Sequence, residues 1–274
     1  MKKKKLTLGD LIGLAVVFCV FVIPFLFMFV NSLKERREAN LLRISWPDSI
    51  RIDNYVEVLK TSNGIVLTAF KNSVILTFFS VILLVTLCSM AGYVLQRRKD
   101  RAVGVINVLI MTGLMVPPAI MPTIWVLQGL HIYKTLLGMI LVETALLTPF
   151  TITLYRSYMS AIPKELEEVG YIDGCNRIQM FFRIIFPLLK PVNATVIILN
   201  AVSVFNDFTN PLYFLPGNAN ATIQLTLYNF MGKYSSSYNL LFADVIIITI
   251  PMVILFIIFN RQIVDGMVAG AIKG

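Results

Sequence analysis

The chain has 274 residues, of which 57% are hydrophobic and only 14% charged, and its mean hydropathy is +0.78. A soluble domain usually carries about 25% charged residues, so this composition excludes an ordinary water-soluble globular protein. The formal net charge of +9 does not indicate a nucleic-acid partner, because many basic residues flank apolar segments, where they orient a chain in the bilayer. The composition predicts an integral membrane protein.

The first apolar segment covers residues 11–30 and follows four lysines at positions 2–5. A basic start before an apolar run is also typical of a signal peptide. This run is longer than the apolar region of a signal peptide, and no small-residue cleavage site follows it. We therefore interpret it as a retained first membrane span.

Five further segments are long and apolar enough to cross a hydrocarbon core of about 30 Å, and in lipid each must be helical. The six predicted spans are residues 11–30, 73–95, 103–127, 136–155, 192–215 and 241–259. Most basic residues fall in the segments expected inside, whereas the two short outer loops contain only Lys134 and Lys233. This asymmetry predicts a multi-pass protein of the cell (plasma or inner) membrane with both termini in the cytoplasm. The long first outer loop, residues 31–72, does not follow this asymmetry, since it contains seven basic residues.

The third span contains a proline cluster, Pro117, Pro118 and Pro122. Because each proline removes a helical hydrogen bond, we expect the adjacent pair to break the helix. Non-helical backbone at membrane depth is tolerated where it packs on protein or lines a cavity. The cluster is therefore a candidate part of a translocation path, with ordinary helix irregularity as the alternative.

The longest predicted inner segment, residues 161–191, contains two short helices. Pro163 suits the first turn of a helix, and the first helix has an acidic start that complements its dipole: Glu165, Glu167 and Glu168. Asp173-Gly174 predicts the turn that ends it. The second helix carries an apolar stripe at helical spacing: Ile178, Phe181, Phe182 and Ile185. By composition alone, a helix pair resting at the lipid interface is an equally good interpretation.

The spacing of Glu168, Gly174, Ile184 and Pro187 resembles the EAA loop of binding-protein-dependent ABC importer permeases. That pattern is Glu-Ala-Ala, a glycine four residues after the second alanine, and a later Ile-x-Leu-Pro. The resemblance covers nearly the whole chain and is closest to the second permease of maltose-type, carbohydrate-uptake systems.

Three positions depart from the pattern. Val169 and Gly170 replace the two alanines, and Phe186 replaces the leucine. All three replacements remain small or apolar, so the expected helix packing is retained. An Asn-Ser pair at the start of the second span, Asn72-Ser73, is also close to one that is common in these permeases.

The resemblance implies an all-α integral membrane fold: the six transmembrane helices of the ABC importer type I permease fold, with a cytoplasmic coupling-helix loop. The implied organisation is a cytoplasmic N-terminus at residues 1–10, a permease domain at 11–260 with the coupling loop at 161–191, and a cytoplasmic tail at 261–274. The loop would seat in a groove of a separate ATPase subunit. The residues assigned to it are Glu167 and Glu168 facing the ATPase, Phe181 and Phe182 as apolar anchors, Gly174 for close approach, and Gly170, Asp173, Ile184 and Pro187.

The C-terminal residues Gly266, Gly270 and Lys273 resemble the Gly-x-x-x-Gly-x-x-Lys-Gly tail of the second permease. In the maltose system that tail reaches into the ATPase dimer interface. The glycines suit an extended strand that approaches another backbone closely, and a frayed terminus is the alternative.

The sequence contains no Gly-x-x-x-x-Gly-Lys-[Ser/Thr] phosphate loop. The resemblance implies a transport subunit rather than an enzyme, with no catalytic residue, metal or cofactor of its own. ATP and Mg would bind to the partner ATPase. The implied partners are a second homologous permease, two ATP-binding subunits, an extracellular solute-binding protein and the lipid bilayer, and no nucleic acid.

Polar residues inside spans are costly and mark candidate functional positions. Glu143 in the fourth span and Asn206 and Asp207 in the fifth are candidates for the translocation path, and Asn200 and Asp244 are further polar positions. The structural alternative is hydrogen bonding between helices that holds the two permeases together.

The expected function is import of a sugar, an oligosaccharide, by alternating access. Glycerol phosphate or an amino sugar is the alternative substrate. Two alternatives from other classes are an ion-coupled secondary transporter that uses Glu143 and Asp207, and a membrane scaffold.

Overall fold

Helices build nearly all of the chain. The computed structural model describes residues 8–231 and 236–271, and in these residues an isolated bridge between Met231 and Ser236 is the only strand-like pairing. The helices are α1 (Leu8–Val17), α2 (Ile23–Ser32), α3 (Arg36–Ala39), α4 (Asp53–Arg97), α5 (Arg101–Met115), α6 (Ile120–Gly129), α7 (Leu136–Met159), α8 (Glu165–Ile172), α9 (Arg177–Gln179), α10 (Phe186–Leu188), α11 (Lys190–Phe205), α12 (Thr209–Phe214) and α13 (Tyr238–Ala271). The predicted all-α class is confirmed.

In the described residues, four helical segments are long and apolar enough to cross a membrane: Gly9–Ser32, Asp53–Arg97, Leu136–Met159 and Tyr238–Phe259. In the first of these, a π-helical segment, Phe18–Val22, joins α1 to α2. Helix α4 is kinked near its beginning, where Thr61, Ser62, Asn63 and Gly64 have non-helical backbone angles. Two bent helix pairs also meet the criteria of length and hydropathy. They are α5 with α6, bent by 118°, and Arg177–Leu188 with α11, bent by 77°. Counting each bent pair as one span gives six, the number that the sequence predicts. The second pair, however, begins at Arg177, inside the predicted coupling loop, and ends at Phe205, so it does not coincide with the predicted fifth span of residues 192–215.

The third span is broken where the sequence predicts it. Helix α5 ends at Met115, and Val116 has an extended backbone (ψ 123°), as expected for a residue that precedes a proline. Pro117 and Pro118 lie in the non-helical link. Pro122 lies in the first turn of α6, where a backbone N–H has no intrahelical partner, so the helix accommodates it.

The fifth span differs from its prediction as a continuous helix over 192–215. Helix α11 ends at Phe205, and the separate helix α12 begins at Thr209. Asp207 explains the interruption, since its Oδ1 accepts hydrogen bonds from the backbone N–H groups of Thr209 (2.9 Å) and Asn210 (3.2 Å). Such local side-chain bonds compete with helical ones.

Contacts divide the chain into two units, Met1–Ala69 with Leu225–Pro251 and Phe70–Gln224 with Met252–Gly274. The second unit contains two apolar cores. One brings together α4, α7, the π-helical segment Met180–Ile185 and α11, through residues such as Leu84, Tyr155, Ile185 and Val196. The other, around Leu76, Met139 and Phe214, joins the middle of α4 to α7 and α12.

The first unit contains the predicted first outer loop, which is not a loop throughout. It includes α3 and the beginning of α4, and it is organised around the fully buried Lys34. The Lys34 Nζ donates to the carbonyl of Arg43 (2.9 Å) and to Ser45 Oγ (3.0 Å), and lies 3.6 Å from Glu38 Oε1. One of the seven basic residues of this segment is therefore a buried group with polar partners and not an exposed cation.

The prediction of an extended C-terminal tail is wrong for residues 261–271, the part of the tail that the structure describes. Helix α13 continues through Ala271, so the backbone at Gly266 and Gly270 is helical. A helix satisfies its own backbone hydrogen bonds, which a single strand without a partner cannot do. Lys273 lies outside the described residues.

Candidate coupling site and translocation path

The first predicted coupling helix is α8. Its first turn contains the three glutamates, and it follows Lys164, so that Pro163 precedes the cap instead of lying in the first turn. The predicted turn is present. The backbone of Asp173 ends the helix, and Gly174 has a φ of +80°, the left-handed conformation that favours glycine.

The second helix begins with a cap that the sequence interpretation missed. Asn176 Oδ1 accepts from the backbone N–H of Gln179 (2.9 Å), and Gln179 Oε1 accepts from that of Asn176 (3.0 Å). This reciprocal pair is a capping box. Asparagine followed three residues later by glutamine, just before an apolar run, is its sequence signature.

The two glycines of the loop have different roles from those expected. No heavy atom lies within 4 Å of the position that a Cβ of Gly174 would occupy, so this residue permits a backbone conformation and not a close approach. The close approach occurs at Gly170, where a Cβ would lie 2.5 Å from Ile184 Cδ1 and 2.7 Å from Met180 Cε. Gly170 therefore sets the contact between α8 and the π-helical segment.

The four residues of the expected apolar stripe do not share one face, because two are buried and two are exposed. Phe181 and Ile185 are buried at 4% and 0% exposure, whereas Ile178 and Phe182 are 68% and 50% exposed. The cause is the π-helical geometry of Met180–Ile185, because i→i+5 bonding changes the rotation per residue. Phe181 is consequently part of the core, and only Phe182 is available as an external anchor.

Glu167 also differs from its expected orientation toward the ATPase. Its Oε1 lies 2.6 Å from Arg97 Nε, and its Oε2 accepts from the Tyr93 hydroxyl at 2.8 Å. The side chains of Arg97 and Glu167 are only 14% and 12% exposed. Glu167 thus pairs with the end of α4, and neither Tyr93 nor Arg97 was identified from the sequence.

Helix α8 presents a different set of residues to the exterior. Glu168 is exposed, as are Val169 (56%) and Ile172 (84%). Ile178 and Phe182 on the second helix are exposed as well. We call these five residues, one carboxylate and four apolar side chains, the coupling face. A groove of about 670 Å³ lies between α8, α9 and the end of α4, and its lining includes Ile178 and Phe182 as well as Tyr93, Arg97 and Glu167.

The polar candidates for the translocation path fall into separate clusters. Glu143, on α7, is 3% exposed, and its carboxyl group contacts the side chains of Asp207 and Asn210. Within the described part of the chain, its Oε1 has no hydrogen-bond donor. Asp207 Oδ2 accepts from Asn210 Nδ2 at 2.6 Å. The structure therefore brings Glu143 and Asp207 together, whereas Asn206 is exposed and accepts from Gln224 Nε2 at 3.0 Å.

Asn200 and Asp244 have structural contacts. Asn200 Oδ1 accepts from Thr151 Oγ1 (3.3 Å) and so links α11 to α7. Asp244 Oδ2 accepts from Thr226 Oγ1 (2.7 Å). The hydrogen bonds of these two residues join elements within this chain, and the expected bonding between two permeases stays a prediction.

The break in the third span borders a cavity. Pro118 lines a space of about 220 Å³ whose walls also include Leu127, Val142, Leu146 and Phe214. The lining is almost wholly apolar, so the cavity offers few partners to a hydroxylated solute. Pro117 and Pro122 are not among its lining residues.

The Asn-Ser pair at the start of the predicted second span holds a distant segment of the chain. Asn72 Nδ2 donates to the carbonyls of Ala219 (3.3 Å) and Ala221 (3.1 Å), and Ser73 Oγ accepts from the backbone N–H of Ile223 (2.9 Å). The pair therefore anchors the connection that follows α12.

Residues 84–268 match the family of binding-protein-dependent transport system inner membrane components. The chain belongs to this family. The match includes the whole helix pair, the broken third span and most of α13.

Two further comparisons agree with this membership. The melibiose/raffinose/stachyose import permease protein of Bacillus subtilis (strain 168) is 31% identical over 270 residues, which cover 95% of this chain and 94% of that relative. A bacterial ABC transporter involved in the import of the acidic polysaccharide alginate contains a chain of the same fold, with a TM-score of 0.78 at 20% identity. The superposition covers 94% of this chain and 99% of that one.

A second structure of a bacterial alginate ABC transporter, in complex with an alginate pentasaccharide-bound periplasmic protein, matches with a TM-score of 0.70 at 14% identity. This superposition covers 93% of this chain and 92% of the matched chain of that transporter. The predicted fold class is confirmed, and the chain is a permease component, as the prediction of a transport subunit requires.

Proposed function

We propose that this binding-protein-dependent permease imports an oligosaccharide into the cytoplasm, driven by separate ATPase subunits. The substrate class is supported by the name of the Bacillus subtilis relative, which specifies three oligosaccharides, and by the alginate importers of the same fold. Family membership gives no support to an ion-coupled transporter or a membrane scaffold.

The observation that carries the proposal is the coupling face. Large exposed apolar residues next to an exposed carboxylate form the kind of surface that a partner protein covers. Glu168 is the first of the face's five residues in sequence, with Val169 and Ile172 on the same short helix. Buried Gly170 and Met180 support it from behind, so the face is presented on a packed base.

The assembly that we propose contains a second homologous permease, two ATP-binding subunits with ATP and Mg, and an extracellular solute-binding protein. The last is supported by the alginate transporter whose structure includes a periplasmic protein. The termini of this chain lie in the cytoplasm. The coupling face therefore meets the ATPase subunits there.

Transport proceeds by alternating access. ATP binding closes the ATPase dimer and draws the coupling faces of the two permeases together. The spans then rock and open a cavity outward, where the docked binding protein releases its sugar. Hydrolysis restores the inward-facing state.

Reversing the charge of Glu168 tests the proposal. In Glu168→Lys, a cation replaces the carboxylate at the contact, so we expect the affinity for the ATPase subunits to fall by about tenfold or more. Co-purification of the subunits and ATP-driven uptake of labelled oligosaccharide into proteoliposomes measure the effect. Wild-type association together with wild-type uptake would contradict the assignment of this face.

A matched control is Glu57→Lys, which reverses an exposed helical glutamate outside residues 161–191 and should leave the ATPase subunits bound. Competition by glycerol phosphate or an amino sugar, but not by oligosaccharides, would favour the alternative substrates.

A further inference from the structure

The end of α4 and the start of α8 are joined by three side chains, Tyr93, Arg97 and Glu167, here called the α4–α8 clasp. We propose that Tyr93 and Arg97 are positioning residues that transmit the displacement of α8 to membrane helix α4. This inference rests on the proposed function, since it assumes that an ATPase moves α8.

The clasp uses both oxygens of one carboxylate. Glu167 Oε1 pairs with Arg97 Nε at 2.6 Å, and Oε2 accepts from the Tyr93 hydroxyl at 2.8 Å. Tyr93 and Arg97 are one helical turn apart, so they lie on the same face of α4. With one donor on each oxygen, the carboxylate is fixed in position and not merely attracted.

Arg97 holds the connection before α8 as well. Its Nη2 donates to the carbonyl of Ile162 at 3.0 Å, three residues before the first residue of α8. The same guanidinium group thus binds both α8 and the segment that leads into it from α7. At 14% and 12% exposure, the two charged side chains are largely shielded from water, which strengthens their interaction relative to an open surface pair.

The α4 side of the clasp is itself tightly packed. A Cβ at Gly92 would lie 2.9 Å from Tyr155 Cβ, so α4 and α7 are in backbone-close contact one residue before Tyr93. The Tyr93 ring lies 5.7 Å from the ring of Phe181, which is only 4% exposed. The clasp borders the groove of about 670 Å³, which Tyr93, Arg97 and Glu167 help to line. The link between α8 and α4 at this point therefore depends on the hydrogen bonds of Glu167 and on the contact of the Tyr93 and Phe181 rings.

The side chains of two consecutive glutamates therefore lie on opposite sides of α8. Glu168 is exposed on the coupling face, while Glu167 faces inward and is bound to α4. A push on the face reaches α4 across a single residue of α8 through contiguous hydrogen bonds. Such a chain of contacts is the physical requirement for coupling two sites.

Removing the clasp without disturbing the coupling face tests the inference. The assembled complex of both permeases and the ATPase subunits is reconstituted with Arg97→Ala, Tyr93→Phe or the exchange Arg97→Glu/Glu167→Arg in this chain. We expect Arg97→Ala to retain the ATPase subunits and their hydrolysis but to lower oligosaccharide uptake per ATP by about tenfold. Tyr93→Phe, which removes one hydroxyl and keeps the ring, should lower it by about threefold.

The exchange separates coupling from mere stability. The exchanged pair restores an ion pair with opposite polarity, so we expect it to recover at least half of the lost uptake per ATP. If Arg97 were needed only for local packing, the exchange would not recover uptake per ATP. The matched control is Arg98→Ala, because Arg98 adjoins Arg97 but is exposed and pairs only locally with Asp100. This control should behave as wild type.

Wild-type uptake per ATP in both Arg97→Ala and Tyr93→Phe, or an exchange that recovers nothing, would overturn the clasp while leaving the proposed function intact. If Arg97→Ala fails to assemble, Tyr93→Phe decides the question. A wild-type complex that binds its ATPase subunits but imports no oligosaccharide on ATP would instead overturn the proposed function, and the clasp with it.

Discussion

Gly170 and Gly174 lie four residues apart in the coupling loop, and each is required for a different physical reason. At Gly170 the side chains of Met180 and Ile184 occupy the space that a Cβ would need. At Gly174 the space is open, but the backbone adopts a φ of +80°. The first glycine is a packing requirement and the second a conformational one.

Gly174→Ala is expected to lower stability for the second reason. An L-residue in the left-handed region costs about 1–2 kcal/mol, which for a chain of this size corresponds to a fall of about 2–4 °C in the apparent melting temperature. Thermal unfolding of the purified protein in detergent measures it. Gly104→Ala is the control, since that helical position has open space around it, and its melting temperature should not fall.

The break between α5 and α6 is the largest interruption of a span in the described residues, with a bend of 118°. Two consecutive prolines cannot donate backbone hydrogen bonds to α5, and Pro117 also forces Val116 out of the helical region. The bend is thus a local consequence of two residues. Its placement beside the cavity lined by Pro118 depends on packing against α7 and α12.

Replacing both prolines tests whether they cause the bend. In Pro117→Ala/Pro118→Ala we expect α5 to extend through the link, because all of its backbone donors are then available. Spin labels at Ile106 and Val126, both exposed, would report a distance near the roughly 30 Å of a straight helix of 20 residues. An unchanged, shorter distance would show that tertiary packing alone imposes the bend. Pro122→Ala, in the first turn of α6, should leave the distance unchanged.

The molecule as a whole brings α7 and the α11–α12 junction together around two carboxyl groups. Glu143 contacts Asp207 and Asn210, although Glu143 and Asp207 are 64 positions apart in the chain. Asp207 also accepts from two backbone N–H groups of the junction. Asp207 is therefore a candidate both for the translocation path and for shaping the junction between α11 and α12.

Two substitutions separate these roles. Asp207→Ala removes the acceptor and should lower sugar uptake by about tenfold without preventing assembly. Asp207→Asn keeps a side-chain oxygen for the backbone N–H groups of Thr209 and Asn210 but removes the charge. Reduced uptake by both variants would indicate that transport needs the carboxyl group, whereas normal uptake by Asp207→Asn would assign Asp207 to the junction. Normal uptake by a fully assembled Asp207→Ala complex would contradict any role in transport.

Local chemistry in the sequence was sufficient for several features. Apolar length determined the number of spans, adjacent prolines determined the broken span, and Asp173-Gly174 determined the end of α8. The spacing of Glu168, Gly174, Ile184 and Pro187 was sufficient to indicate the family. Each of these signals acts through a residue's own backbone or its nearest neighbours, so no knowledge of distant contacts is required.

Only the tertiary structure decided which way the side chains of the helix pair point. Glu167 and Glu168 are chemically identical and adjacent, and what distinguishes them is that α4 brings Arg97 and Tyr93 to one and not the other. Likewise, the π-helical turn sends Phe181 into the core and leaves Phe182 exposed. The sequence by itself determined that two short helices joined by a turn lie between α7 and α11. Packing between segments some 70 residues apart decided which residues of these helices are exposed and which hold them to α4.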